Sequence, residues 1–348
     1  MQETKKIIVG ISIGDLNGIG CEVVLKTFED VRMLDFCTPV IFASSKTIAF
    51  QKNVLGLELN YHGIHELNAV VHGKINVMNI WKETPQTTFG EATKEAGTFA
   101  IRSLKSAVAA LKNGEVDVLV TAPINKNNIQ DEEFKFPGHT DYLAQELEGE
   151  SLMFMVTDEL KVGLLTDHLA VKDVPAAITA KLIRAKVATI MKSLRQDFAV
   201  RKPKIGLLGV NPHSGDNGVI GTEDDAVVKP EIKALFEKGE LVYGPYAADS
   251  FFGSDGYKKF DAILAAYHDQ GLIPFKTLSF GKGVNYTAGL SKVRTSPDHG
   301  TAYEIAGKGI ADEGSFKEAV FMALQIFKNR AEYEELTENV LQKQRVKR

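Results

Sequence analysis

Five short apolar runs, at 7–11, 116–120, 162–165, 205–210 and 262–267, set the fold class of this chain. Each has a strand's length and is rich in Val, Ile, Leu or Ala, as a strand buried on both faces should be. Helical patterns separate them, at 22–30, 91–112, 141–147, 176–196, 226–238 and 315–336. Strands alternating with helices predict an α/β protein on a largely parallel sheet. The 348 residues are enough for two domains. The stretch 53–88 reads as a small substructure or a long excursion.

The segment after each run carries the chemistry. The first run leads into Ser12-Ile-Gly-Asp-Leu-Asn-Gly-Ile-Gly20 and the second into Thr121-Ala-Pro-Ile-Asn-Lys126. The third leads into Thr166-Asp-His168, the fourth into Asn211-Pro-His213 and the fifth into His268-Asp269-Gln270. Open α/β sheets bind ligands beyond the carboxyl ends of their strands. If the five strands share one orientation, these clusters gather around one cleft.

His168, His213 and His268 are far apart in sequence, yet each follows an apolar strand closely. Three imidazoles at one sheet edge could hold a divalent ion and leave positions open for water or substrate, unlike a closed structural site. Asp167 and Asp269 adjoin two of them and could orient the rings or add ligands. Taken singly, each histidine is more simply a hydrogen-bonded loop residue. His62, His65 and His72 are closer together but lie in a polar segment, where a surface loop is expected.

Candidate anion-binding groups lie elsewhere along the chain. Gly138-His-Thr-Asp-Tyr-Leu-Ala144 reads as a turn entering a helix, with Thr140 as N-cap and His139 just ahead of the free amides. Lys276, Asn285 and Arg294 stand in a later, Gly-containing region, and Lys and Arg suit phosphate or carboxylate. Asp249 has no local partner, so a turn or capping role is open beside a functional one. The glycines of 14–20 do not match the spacing of a Rossmann dinucleotide loop.

Composition removes other classes. The net charge is −4, which disfavours a general nucleic-acid binder. No apolar run approaches the ~18 residues of a membrane span. Two cysteines, Cys21 and Cys37, make no disulfide framework, and residues 1–6 lack a signal-peptide core, so a reducing cytoplasm is expected. The basic tail 342–348 suits a solvated helix end.

The segments Gly14-Asp-Leu-Asn-Gly-Ile-Gly-Cys-Glu22, Gly138-His-Thr140, Asp167-His-Leu-Ala-Val-Lys-Asp-Val-Pro175, Asn211-Pro-His-Ser-Gly215, Tyr267-His-Asp-Gln-Gly-Leu-Ile-Pro-Phe-Lys276 and Arg294-Thr-Ser-Pro-Asp-His-Gly-Thr-Ala302 resemble the 4-hydroxythreonine-4-phosphate dehydrogenase family of pyridoxal phosphate biosynthesis. Leu16-Asn17 stands where that family commonly has Pro-Ala, and Cys21 where it has Pro. The resemblance implies two α/β/α domains around a central cleft, like those of isocitrate and isopropylmalate dehydrogenases. The expected division is 1–140 plus 290–348 against 141–289. It implies that His168, His213 and His268 bind one divalent ion (Zn, Mg, Co or Mn), at a site shared by the two subunits of a homodimer. His139, Thr140, Lys276, Asn285 and Arg294 match substrate-binding positions.

Residues 299–312 resemble an adenosine-binding loop, which assigns His299, Gly300, Thr301, Ala302 and Asp312 to the nicotinamide cofactor. Glu304 stands where NADP-dependent relatives carry a basic residue, so NAD is favoured over NADP. The implied reaction is oxidation of a phosphorylated 3-hydroxy amino acid to a 3-oxo acid, which decarboxylates to 3-amino-2-oxopropyl phosphate. Asp249, Asp269 and a hydroxide on the metal are the candidate proton acceptors. The alternatives are a dehydrogenase of threonate or erythronate 4-phosphate, a metal-dependent phosphatase, and a non-catalytic phosphometabolite sensor.

Overall fold

The computed structural model describes residues 6–130, 134–136 and 138–339. Among them, β1 (Ile8–Ser12), β2 (Thr38–Ala43), β3 (Tyr61–Ile64), β4 (Ile75–Asn79), β5 (Val118–Thr121), β6 (Gly149–Val156), β7 (Lys161–Leu164), β8 (Lys204–Leu208), β9 (Leu241–Tyr246), β10 (Ala262–Ala265), β11 (Val284–Leu290) and β12 (Val293–Pro297) form one sheet. Its order is β3-β4-β2-β1-β5-β12-β11-β6-β7-β10-β8-β9. All five apolar runs become strands: β1, β5, β7, β8 and β10.

Alternate residues of these strands enter different cores, which is why the runs are apolar throughout. Val118 and Val120 of β5 join a core built with Phe316, Ala319 and Val320 of the helix Gly314–Thr337. Leu119, between them, joins another with Leu104, Val108 and Leu111 of the helix Lys94–Lys112. On β10, Leu264 packs into the first core and Ile263 into a third that holds Leu272 and Phe275. The result is an α/β protein with helices over both faces of the sheet. Thr93 and Thr179 start two of the long helices, at Lys94 and Ala180, their side chains accepting from Ala96 N and Leu182 N.

The pairings correct the idea of one shared strand direction. The strands β3-β4-β2-β1-β5-β12 are mutually parallel, and so are β7-β10-β8-β9. Between the two blocks, β12–β11, β11–β6 and β6–β7 are all antiparallel. Three reversals turn the second block against the first. The ends of β1 and β5 therefore face the opposite way from those of β7, β8 and β10. Six strands before residue 122 or after 292 lie to one side of the β12–β11 pair, and the other six lie beyond it.

The stretch 53–88 is part of the sheet. It supplies β3 and β4, with Trp81 buried against Phe99. His62 is therefore on an edge strand rather than in a loop, while His72 Nδ1 hydrogen-bonds Thr38 Oγ1 at 2.7 Å. A further helix, His268–Ser279, is hidden in the sequence by Gly271 and Pro274. Gly271 is needed for close approach, since a Cβ there would lie 2.8 Å from Leu164 Cδ2 and 2.9 Å from Ala265 Cβ. The basic tail falls outside the described residues. No helix among them is long and apolar enough to cross a membrane.

One polar cluster ties the C-terminal helix to the second block. Asp197, fully buried, accepts from Arg330 Nε at 2.7 Å and from Tyr286 and Ser193 hydroxyls at 2.6 Å each. Every member is paired, as a buried ionic group requires.

Candidate active site

A cleft of about 260 Å³ opens where the two blocks meet. Strands β5, β6, β11 and β12 supply Thr121, Met153, Met155, Asn285 and Arg294 to its walls. The start of the helix His139–Glu146 borders it, and so do His168, His268 and Lys276.

Arg294 is its most informative residue. The side chain is 1% exposed, and its Nε and Nη2 donate to Thr121 Oγ1 at 3.1 and 2.5 Å while Nη1 donates to Thr287 Oγ1 at 3.1 Å. No carboxylate among the described residues pairs with it. Burial alone pulls its pKa down to about 9. A desolvated guanidinium held only by hydroxyls is costly unless an anion joins it.

Three other wall atoms are buried without a hydrogen-bond partner among the described residues: His139 Nε2, Asn285 Oδ1 and His299 Nε2. Unpaired buried polar atoms call for an explanation, and a missing ligand is one. Burial, then Arg294 and Lys126, hold His139 well below the ordinary imidazole pKa, so it is neutral at pH 7. The helix here begins at His139 with Gly138 as N-cap and no side-chain cap. That corrects the expected N-cap role of Thr140, which lies inside the first turn. The uncapped amides are open to an anion instead.

The rings of His168 and His268 lie 6.0 Å apart, centroid to centroid. They follow the adjacent parallel strands β7 and β10. Asp269 accepts from His268 Nδ1 at 2.7 Å, which fixes that ring and leaves Nε2 as the free nitrogen. Burial and Lys126 lower the His168 pKa, favouring the neutral imidazole that ligation needs.

His213 follows β8, the next strand, but does not border the cleft. It is exposed in a turn where His213, Ser214, Gly215, Asp216 and Asn217 have φ of 51, 50, 81, 43 and 55°. Consecutive left-handed residues are strained and need external support. Asp224 gives it by accepting from Val210 N at 2.8 Å and Asn211 N at 3.0 Å. Among the described residues of one chain, no three His, Cys, Asp or Glu converge as a metal site. The donors brought together suit a divalent ion through two imidazoles, His168 and His268, and His213 is not beside them.

The glycine-rich segment after β1 serves the loop 299–312. Asp15, fully buried, accepts from Asn17 N at 2.9 Å, Asn128 Nδ2 at 2.7 Å and the Tyr303 hydroxyl at 2.9 Å. Burial and the Asp15 charge raise the Tyr303 pKa, so its proton stays in that bond. Ile19 N donates to Thr301 O at 3.0 Å, and a Cβ on Gly18 would lie 2.7 Å from the same oxygen. Glu22 accepts from Ala311 N at 2.8 Å, and Lys26 donates to the Gly309 and Ala311 carbonyls.

Of the expected site residues, His139, Thr140, His168, His268, Lys276, Asn285, Arg294, His299 and Gly300 all border the cleft. Thr301 and Ala302 belong to the loop clasped by Gly18 and Ile19. Asp312 accepts from Gly314 N in a local turn. Asp249 is exposed on the short helix Ala248–Gly253 and does not border the cleft. Lys126 and Asp298 border the cleft without having been singled out in the sequence. Lys126 ends the cluster after the second apolar run, which was the available signal. Burial raises the Asp298 pKa.

Fold and cleft define an α/β protein with a cationic central site bordered by paired imidazoles. Residues 35–323 match the family described as pyridoxal phosphate biosynthetic protein PdxA, and the chain belongs to that family as one of its dehydrogenases. It is 45% identical to the 4-hydroxythreonine-4-phosphate dehydrogenase of Bacteroides thetaiotaomicron, over 98% of this chain and 94% of that protein. It is 36% identical to the D-threonate 4-phosphate dehydrogenase of Cupriavidus necator, over 93% of this chain and 98% of that one. The crystal structure of 4-hydroxythreonine-4-phosphate dehydrogenase from Klebsiella pneumoniae superposes with a TM-score of 0.80 at 30% identity, covering 94% of this chain and 99% of that chain.

Proposed function

We propose that the chain oxidises 4-hydroxythreonine 4-phosphate at C3, with NAD as acceptor and one divalent ion (Zn, Mg, Co or Mn), to a 3-oxo acid that loses CO2 to give 3-amino-2-oxopropyl phosphate. The carrying observation is Arg294, buried and without a carboxylate among the described residues, in the same cleft as His168 and His268 and as His139 Nε2 and Asn285 Oδ1, which have no partner among those residues. Arg294, Lys276, His139 Nε2 where it carries the ring proton, and the first-turn amides of His139–Glu146 suit the phosphate, while Asn285 Oδ1, an acceptor, suits a donor group of the substrate. The phosphate's binding energy then positions the carbon to be oxidised.

When bound, the ion supplies Lewis acidity at the substrate oxygen, and the nicotinamide accepts the hydride. His168 and His268 would hold the ion, and His213 of the partner subunit would complete the set in a homodimer. Asp269 keeps the His268 ring oriented. The loop 299–312 would carry NAD. Its exposed Glu304 would repel a 2′-phosphate, which supports NAD over NADP. We further propose that the two strand blocks are two domains, 1–140 plus 290–348 and 141–289. Buried, unpaired Cys21 and Cys37, both pushed up to about 12 by burial, suit a reducing cytoplasm.

NADH formation is the test, with 4-hydroxythreonine 4-phosphate and D-threonate 4-phosphate in parallel, each with and without chelator. Turnover of the first compound, lost on chelation and restored by metal, is the expected result. Preference for the second would reassign the substrate. Phosphate release without NADH would replace the dehydrogenase reading of the cleft.

A further inference from the structure

Lys126 has a place in this cleft but no part in the chemistry above. The loop that carries it is tethered on its far side. Asn127 N donates to Asn125 Oδ1 at 2.9 Å, and Asn128 Nδ2 to the buried Asp15 carboxylate at 2.7 Å. The stem passes Gly138, where an added Cβ would lie 3.7 Å from Lys126 Cε. Nζ ends 3.2 Å from His168 Nε2. An ammonium can only donate, so the imidazole nitrogen facing it is the acceptor and carries the lone pair. That lone pair is the one His168 would offer to a divalent ion. The ammonium and the ion cannot share it, and their charges repel. No described carboxylate takes Lys126 in exchange.

We propose that Lys126 is a positioning residue that exchanges partners: it donates to His168 Nε2 in the metal-free protein, and turns to the substrate's carboxylate once that nitrogen ligates the ion. The inference rests on the reading that a divalent ion binds at His168. Arg294, held on the sheet by Thr121 and Thr287, already serves one anionic group, while Lys126 passes the helix start at Gly138 and ends at His168. Lys126 stands at the imidazole side and serves a second. A ligand with two anionic groups is thereby preferred over a simple phosphate ester.

Two measurements on the metal-stripped, full-length chain test this. Calorimetric titration with Co2+ in the absence of substrate compares wild type with Lys126→Met and Lys126→Arg. Lys126→Met is expected to bind Co2+ about tenfold more tightly, the size of one hydrogen bond to a charged group. In the NADH assay its KM for 4-hydroxythreonine 4-phosphate should rise about tenfold or more with kcat changed less, while Lys126→Arg restores KM. Lys126 is exposed, so both variants should melt at the wild-type temperature. Unchanged Co2+ affinity in Lys126→Met, or an unchanged KM, overturns the exchange. Wild-type protein that binds no Co2+ and makes no NADH would overturn the underlying functional reading as well.

Discussion

A guanidinium taken out of water without a carboxylate destabilises the fold that holds it, and Arg294 has no carboxylate partner among the described residues. Its hydrogen bonds to Thr121 and Thr287 satisfy direction but not charge. Stability and function should therefore separate at this residue. Arg294→Met, of similar length and apolar, is expected to lower kcat/KM about a thousandfold, as loss of charge-assisted bonds to an anion implies, without lowering the melting temperature. A variant that melts well below wild type while keeping its kcat/KM would show that the buried charge serves the fold. Asp269 illustrates the same scale. Its place in the sequence left open orienting a ring, adding a ligand or accepting a proton, and its 2.7 Å bond to His268 Nδ1 supports the first of these.

At the scale of elements, the segment after β1 is best understood by what it touches. Its glycines allow the backbone to reach the loop 299–312, and Asp15 joins that loop to the one following β5 through Tyr303 and Asn128. Gly18→Ala would drive a Cβ to 2.7 Å from the Thr301 carbonyl, closer than such contacts tolerate. The loop must then shift. The expected outcome is a rise of about tenfold in KM for NAD with KM for the phosphorylated substrate nearly unchanged, since the latter's groups lie on other elements. Equal changes in both would mean that the segment serves the whole cleft. The motif itself was legible in the sequence, as was its mismatch with a Rossmann loop. Its partner loop was not, because Tyr303 lies 288 residues beyond Asp15 and nothing local in either segment records the contact.

At the scale of the molecule, the Asp197 cluster joins the helix Ala180–Gln196, β11 and the C-terminal helix Gly314–Thr337. Removing the carboxylate leaves Arg330 with an uncompensated, mostly buried charge. Asp197→Ala should lose about 3–5 kcal/mol of unfolding free energy, measured by urea denaturation, with KM values unchanged in the folded fraction. A loss below about 1 kcal/mol would show that the cluster is replaceable by packing alone.

The sequence by itself determined the α/β class, because apolar runs of strand length between amphipathic helices can be buried in few other ways. It also marked six residues that border the cleft: His139, His168 and His268 stand at helix starts or after strands, and Lys276, Asn285 and Arg294 stand in a later, Gly-containing region. Only the tertiary structure decided the direction of the second strand block, because reversal at β11 and β6 depends on pairing between distant segments. The same holds for the partners of Lys126 and Asp15, and for Arg294 having hydroxyls but no carboxylate beside it among the described residues. Periodicity records which face of an element is buried, while the neighbour that a polar side chain meets depends on how the elements pack.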